Sequence, residues 1–182
     1  MKQSEVQKEL EKFRNYVIAE ARKNLSNDKK NVSIGLYNSL KGNVKAMPNS
    51  LSMEFEMDIY GQFQDKGVKG ANPSLVKNGV QKAPNSPFSF KNKKPPMEPL
   101  SRWAQKKNIR FRNADGTYAK GGYKTLGFWL QKRIYAQGIK PSLFFTKPFE
   151  AAFKRLPDLL IEKFGLDMVD LLKTTKFKNE KK

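Results

Sequence analysis

Charge segregation constrains this chain more than any other feature of its sequence. Residues 66–140 hold 17 Lys/Arg against two acids, Glu98 and Asp115, a net of +15. The flanks, 1–65 and 141–182, hold 19 basic and 15 acidic residues, a net of only +4. Repulsion among so many like charges disfavours a compact free conformation of the middle block. Prolines 73, 84, 87, 95, 96 and 99 fall within it, and Pro141 follows directly. The expected organisation is therefore a body formed by 1–67 and 139–175, with 68–138 as an inserted basic, Pro-rich arm carrying short helices and 176–182 as a charged tail.

The body reads as α+β, a small antiparallel sheet packed with a long N-terminal helix and a C-terminal helix. Aromatics make up 12% of the 182 residues, including 13 Phe, which is bulk enough for a core and uncharacteristic of a disordered chain. Val6, Leu10, Phe13, Val17, Ala21 and Leu25 recur at steps of three and four, predicting a one-sided helix over 4–25 capped by Ser4. Residues 33–41 fit a short helix or an irregular strand. Leu51, Met53, Phe55, Met57 and Ile59 alternate with Ser52, Glu54, Glu56 and Asp58, predicting a half-buried strand. Pro48-Asn49-Ser50 marks the turn to its hairpin partner, 43–47. Tyr60 to Gly67 then leaves the strand as a short turn of helix. Further helices are expected from Pro99 to Lys107, over 125–137, from Pro148 to Phe164 with a kink or break at Pro157, and over 166–173. Ile109–Phe111 and Thr117-Tyr118 are placed to pair across an Asn113–Gly116 turn.

Composition removes much chemistry. With no cysteine and no histidine, disulfides, thiolate nucleophiles, Cys/His zinc sites and imidazole bases are excluded. Gly121-Gly122 followed by Lys124-Thr125 lacks the spacing of a phosphate-cradling loop. Glu54, Glu56 and Asp58 share one strand face at a spacing that could hold Mg²⁺, but the wet side of an amphipathic strand is the simpler assignment. Neither an enzyme activity nor a cofactor is expected. The chain opens MKQSEVQKEL without an apolar h-region, and no run approaches the ~20 apolar residues of a membrane span, so no membrane partner is expected.

Nine aromatics interleave the basic block: Phe88, Phe90, Trp103, Phe111, Tyr118, Tyr123, Phe128, Trp129 and Tyr135. Cations beside aromatic rings are how single-strand binders join phosphate neutralisation to base stacking. Trp103, Phe128 and Trp129 fall on expected helices, where a core role is the simpler assignment. Without a sequence-reading motif, any nucleic-acid contact is expected to be non-specific.

The flanks together show a particular order. It runs from the 4–25 helix to Gly35-Leu36-Tyr37-Asn38-Ser39-Leu40, the 43–59 hairpin, the Tyr60–Gly67 turn and finally Lys147-Pro148-Phe149-Glu150-Ala151-Ala152-Phe153. This order resembles the tail-completion (neck, head–tail connector) family of tailed bacteriophages. In that family a strand runs into an aromatic-Gly turn, and a Pro-Phe segment opens the closing helix. The Lys/Asn-rich composition suits a phage of an AT-rich host, including the crAss-like phages. The resemblance implies a structural virion protein that assembles in the host cytoplasm. It would be a homo-oligomeric ring around the DNA exit channel, docked on the portal or on adjacent connector and tail proteins. A non-specific nucleic-acid-binding protein is the alternative.

Two sets of residues are expected to make contacts. Tyr60, Phe63, Phe144, Phe145 and Phe149 lie beside changes of chain direction, which suits subunit-interface anchors, although Phe145 and Phe149 equally suit the body's own core. Lys91, Lys93, Lys94, Arg102, Lys106, Lys107, Arg110 and Arg112 are expected to meet packaged DNA or an acidic neighbouring ring. The prolines favour the ring, because they stiffen the arm into an extended reach along a partner.

Overall fold

In the computed structural model the described residues are 4–27, 35–47 and 50–179. The elements in chain order are α1 (Glu5–Asn27), α2 (Gly35–Ser39), β1 (Lys41–Met47), β2 (Ser50–Glu56), α3 (Ile59–Lys66), β3 (Val68–Lys69), α4 (Met97–Lys106), α5 (Gly122–Gln137), β4 (Gly138–Ile139), α6 (Thr146–Phe153) and α7 (Leu156–Asn179). The protein is α+β, and the chain divides into two units. The first comprises 1–28, 35–57 and 144–182; the second takes in 58–143. The Tyr60–Gly67 turn, expected in the body, thus belongs with the basic residues. The turn expected at Pro48-Asn49 and part of the 33–41 stretch lie outside the described residues.

In the first unit the apolar stripe of α1 is the spine. Leu10, Phe13, Val17, Ala21 and Leu25 are all buried, as their spacing requires. Ser4 Oγ accepts from the Gln7 amide at 3.1 Å, the expected cap. A second cap comes from far along the chain: the Asp167 carboxylate accepts from the amides of Glu5 (2.9 Å) and Val6 (3.2 Å). Negative charge there meets the positive end of the α1 dipole and fixes α7 against α1. β1 and β2 pair antiparallel, with Val44 opposite Met53 and Gly42 opposite Phe55. Met53 and Phe55 turn onto the α1 face, beside Leu156, Phe149 and Leu160. At the other end of α1, Leu25 and Ala21 meet Leu36, Leu40 and Phe144. Each such side chain contributes on the order of 1.5–3 kcal/mol by leaving water.

Several boundaries differ from the sequence reading. The strand ends at Glu56, and Ile59, expected inside, is 80% exposed at the start of α3. Asp58 precedes α3 and carries the direction change that breaks the alternation. Pro157 divides the expected 148–164 helix cleanly: α6 stops at Phe153, and Pro157 sits in the first turn of α7, where its missing N–H is harmless. α7 then runs without a break through Gly165 to Asn179, past the expected end at 173. Phe153 at the end of α6 and Phe164 on α7 are both exposed. Among the described residues no helix is long and apolar enough to cross a membrane.

The second unit is not the extended arm that its prolines suggested. β3 and β4 pair antiparallel through Val68–Ile139 and Lys69–Gly138. The 70–96 segment is tied down by hydrogen bonds rather than by a large apolar core. Lys69 N donates to Phe88 O (2.7 Å), Phe90 N to Lys69 O (2.9 Å) and Lys82 N to Gln137 O (2.8 Å). The Gln81 side chain closes on both backbone groups of Gly70, at 2.7 and 3.1 Å. Gln131 Nε2 donates to Pro95 O at 2.7 Å. Here the prolines end turns and start α4 instead of stiffening a projecting rod. α4 and α5 pack closely because Gly127 faces Ser101, where an added Cβ would collide with the serine. Gly138 ends α5 at φ 85° and enters β4, a conformation that glycine adopts without strain.

Candidate anionic-partner interface

The 109–120 segment folds as the sequence pattern suggested, around a tight turn. Gly116 N donates to Asn113 O (3.0 Å) and Asn113 N to Thr117 O (2.8 Å). The Asp115 carboxylate accepts from the Thr117 amide (2.9 Å) and hydroxyl (2.6 Å). Those bonds, the Thr117 hydroxyl's first, hold its pKa below the ordinary carboxylate range. A single bridge, Arg112 to Tyr118, joins the two sides.

Alternation along 110–112 then sorts the side chains. Arg110 and Arg112 stand on one face, while Phe111 turns the other way, edge-on to Trp129 at 5.6 Å. The Arg110 guanidinium lies 4.8 Å from the Tyr123 ring and 5.0 Å from Tyr118; that of Arg112 lies 4.8 Å from Tyr118. Arg110 Nε donates to Tyr123 Oη (3.0 Å), and that hydroxyl donates to Asn108 Oδ1 (2.9 Å). Arg112 also donates to Gly116 O at 3.1 Å. The neutral rings, hydroxyls and carbonyl hold both cations in place without cancelling their charge, which suits carboxylate or phosphate oxygens.

α5 extends the pattern. Arg133 sits 5.0 Å over Trp129, and Lys132 5.2 Å over Phe128, each one helical turn apart. Phe128 and Trp129 are 50% and 40% exposed, so the core role assigned to them from sequence is corrected; Trp103 is half-buried. The reason is that α5 packs inward through Leu126, Gly127, Ala136 and Gln137. Lys91, Lys93 and Lys94 are exposed along a segment held to α5, with Tyr135 Oη donating to Lys91 O and Lys94 lying 5.8 Å over the Tyr135 ring. Arg102, Lys106 and Lys107 are exposed on and just beyond α4. Arg102 is paired with Glu98 at 2.9 Å.

Electrostatics leaves this unit strongly positive. Residues 58–143 hold 17 Lys/Arg and four acids, a net of +13. Of those acids, Glu98 serves Arg102, Asp115 holds the turn, and Asp65 is buried. Lys132 and Arg133 were not singled out by sequence, and Tyr118, Tyr123 and Trp129 were named only among the interleaved aromatics. The signals were present as Arg-x-Arg before a turn closed by tyrosine, and as Phe-Trp four residues ahead of Lys-Arg.

The residues expected as subunit anchors separate into two groups. Tyr60 and Phe63 on α3 are 47% and 37% exposed, with Phe63 edge-on to Phe88 at 4.8 Å. Burial, and after it Asp58, raise the Tyr60 phenol above its usual pKa. Phe144, by contrast, is 1% exposed between α1 and α2. Phe145 and Phe149 are half-buried in an aromatic stack, Phe149 edge-on to Phe13 (5.6 Å) and Phe145 to Phe55 (5.3 Å). These three phenylalanines belong to the unit's own core, because the chain re-enters it at residue 144. Glu54 pairs with Lys45 at 2.8 Å, and no cluster of three or more potential metal ligands occurs among the described residues. No protein-family model, curated protein or solved structure matches the chain.

Proposed function

We propose that this protein is a structural virion component, a head–tail connector or tail-completion subunit that forms a homo-oligomeric ring around the DNA exit channel. The observation that carries this reading is the closing of the first unit. A Pro-Phe helix, α6, returns from a distant part of the chain to pack Phe149 on α1 and β2. Long helix, short helix, hairpin, aromatic-Gly turn and Pro-Phe closing helix thus occur in the order of the neck family that the sequence resembles. The exposed Tyr60 and Phe63 on α3 suit contacts with a portal or tail neighbour. Because the basic unit is folded rather than extended, its Arg110–Arg112 face, with Tyr118 and Tyr123, meets the phosphate backbone of packaged DNA. A few inward-pointing side chains on a folded surface suffice for such a contact.

Native mass measurement of the full chain, alone and with portal protein, tests the reading. A closed multiple of the 20.9 kDa subunit is expected. A chain that stays monomeric at all concentrations and never associates with portal or tail proteins would overturn it. The exposed aromatics with cations over them favour one second reading, a monomeric non-specific nucleic-acid binder. Strong, steeply salt-dependent duplex binding by a monomer would select it.

A further inference from the structure

The first unit carries a convex apolar surface and a concave one, both uncovered. The convex one is the outer face of α7. Ile161, Phe164 and Met168 are 73%, 61% and 41% exposed, and they recur at helical spacing. A helix buries such a stripe against something or does not keep it in water. The concave surface is a groove of about 370 Å³ between α1 and the α6–α7 junction, floored by Phe13, Tyr16, Ala152, Leu156 and Leu159. A water occupies roughly 30 Å³, so the groove admits whole side chains.

The two surfaces cannot serve each other within one subunit. At about 100° per residue, Ile161, Phe164 and Met168 point about 140–200° around the α7 axis from Leu159, which lines the groove. They therefore lie on opposite sides of the same helix. Their borders are complementary: at the groove edge Lys12 is paired with Glu9 at 3.2 Å, so Arg155 carries the edge's net positive charge, and exposed Asp158 edges the stripe one turn before Ile161.

We infer that the stripe of one subunit docks into the groove of the next, a head-to-tail contact between copies of this chain. Every copy supplies both halves, so each contact leaves one groove and one stripe free for further copies. Such a heterologous interface closes into a ring when the rotation per subunit divides the circle. This inference deepens the ring reading and rests on it, but it names the surface and the sense of the contact.

The chain has no cysteine, so cross-linking is clean. Tyr16→Cys and Phe164→Cys are made in the full chain, and both positions are exposed. Under a mild oxidant, a mixture of the two variants is expected to give a disulfide dimer, each alone little or none, and the double variant a ladder. Phe164→Glu is expected to weaken association on the order of tenfold or more, with the melting of the isolated subunit unchanged. A ring by mass that shows no mixed cross-link, or Phe164→Cys linking to itself as readily, overturns the docking while leaving the ring reading intact. An unchanged association constant for Phe164→Glu does the same. A strict monomer overturns both, and so does a monomer whose stripe instead binds phosphatidylcholine vesicles.

Discussion

The two units of this protein reach order by different means. The first has a near-balanced charge and buries long side chains: Leu10, Phe13, Val17, Leu25, Leu36, Leu40, Phe144 and Leu156. The second carries +13, and its buried apolar residues are Val68, Ala83, Ala104, Leu126 and Ala136, mostly small. What it lacks in apolar volume it replaces with backbone hydrogen bonds across 69–90, a close α4–α5 contact at Gly127, and cations laid on rings. A chain segment with this much positive charge can fold if its charges stay on the surface and its interior is small. The first unit is thus tuned to stability, and the second to presenting charge.

The sharpest test of that contrast is the removal of a core side chain from the first unit. Phe144→Ala should cost about 3–5 kcal/mol, because Phe144 is almost fully enclosed and its loss leaves a cavity. Denaturant unfolding measures it, and a loss below about 1 kcal/mol would mean that Phe144 is an interface residue after all. In the second unit the equivalent weak point is backbone proximity. Gly127→Val should cost about 1–3 kcal/mol by forcing α4 off α5, seen as faster amide exchange confined to 97–137. Exchange that rises equally in α1 would break the division into two units.

Charge presentation gives a smaller, more specific effect. Arg110→Gln with Arg112→Gln should leave melting nearly unchanged, yet reduce the salt dependence of duplex binding by about 1.8 in log–log slope, two phosphate contacts' worth. An unchanged slope would remove these arginines from the anion-binding face. The smallest effect concerns the Asn113–Gly116 turn that follows them. The carboxyl of Asp115 has a lowered pKa in the folded chain, so its contribution is complete above the ordinary value of 3.8. That contribution fades as pH falls through the lower folded value. An NMR titration of the Thr117 amide should therefore show a midpoint below 3.8, and a midpoint at or above it would detach the carboxylate from the turn.

Local pattern alone determined a good deal of this molecule. The α1 stripe, the Ser4 cap, the pairing of β1 with β2, the α3 turn ending at Gly67 and the position of the charge block were all legible, because each depends on residues within a few positions of one another. Only the tertiary structure decided which aromatics go inside. Phe63 and Phe144 look alike in sequence, but the second is enclosed by α1 and α2, more than a hundred residues away along the chain. Trp129 looks like core until Gly127, two residues before it, takes the helix contact and turns it outward. The Asp167 cap on α1 spans 162 residues, a separation at which periodicity carries no information. The fold of 68–138 was hidden for the same reason: prolines and like charges argue for extension locally, and contacts such as Lys82 N to Gln137 O, Gln131 to Pro95 O and Gly127 against Ser101 form only in the folded unit.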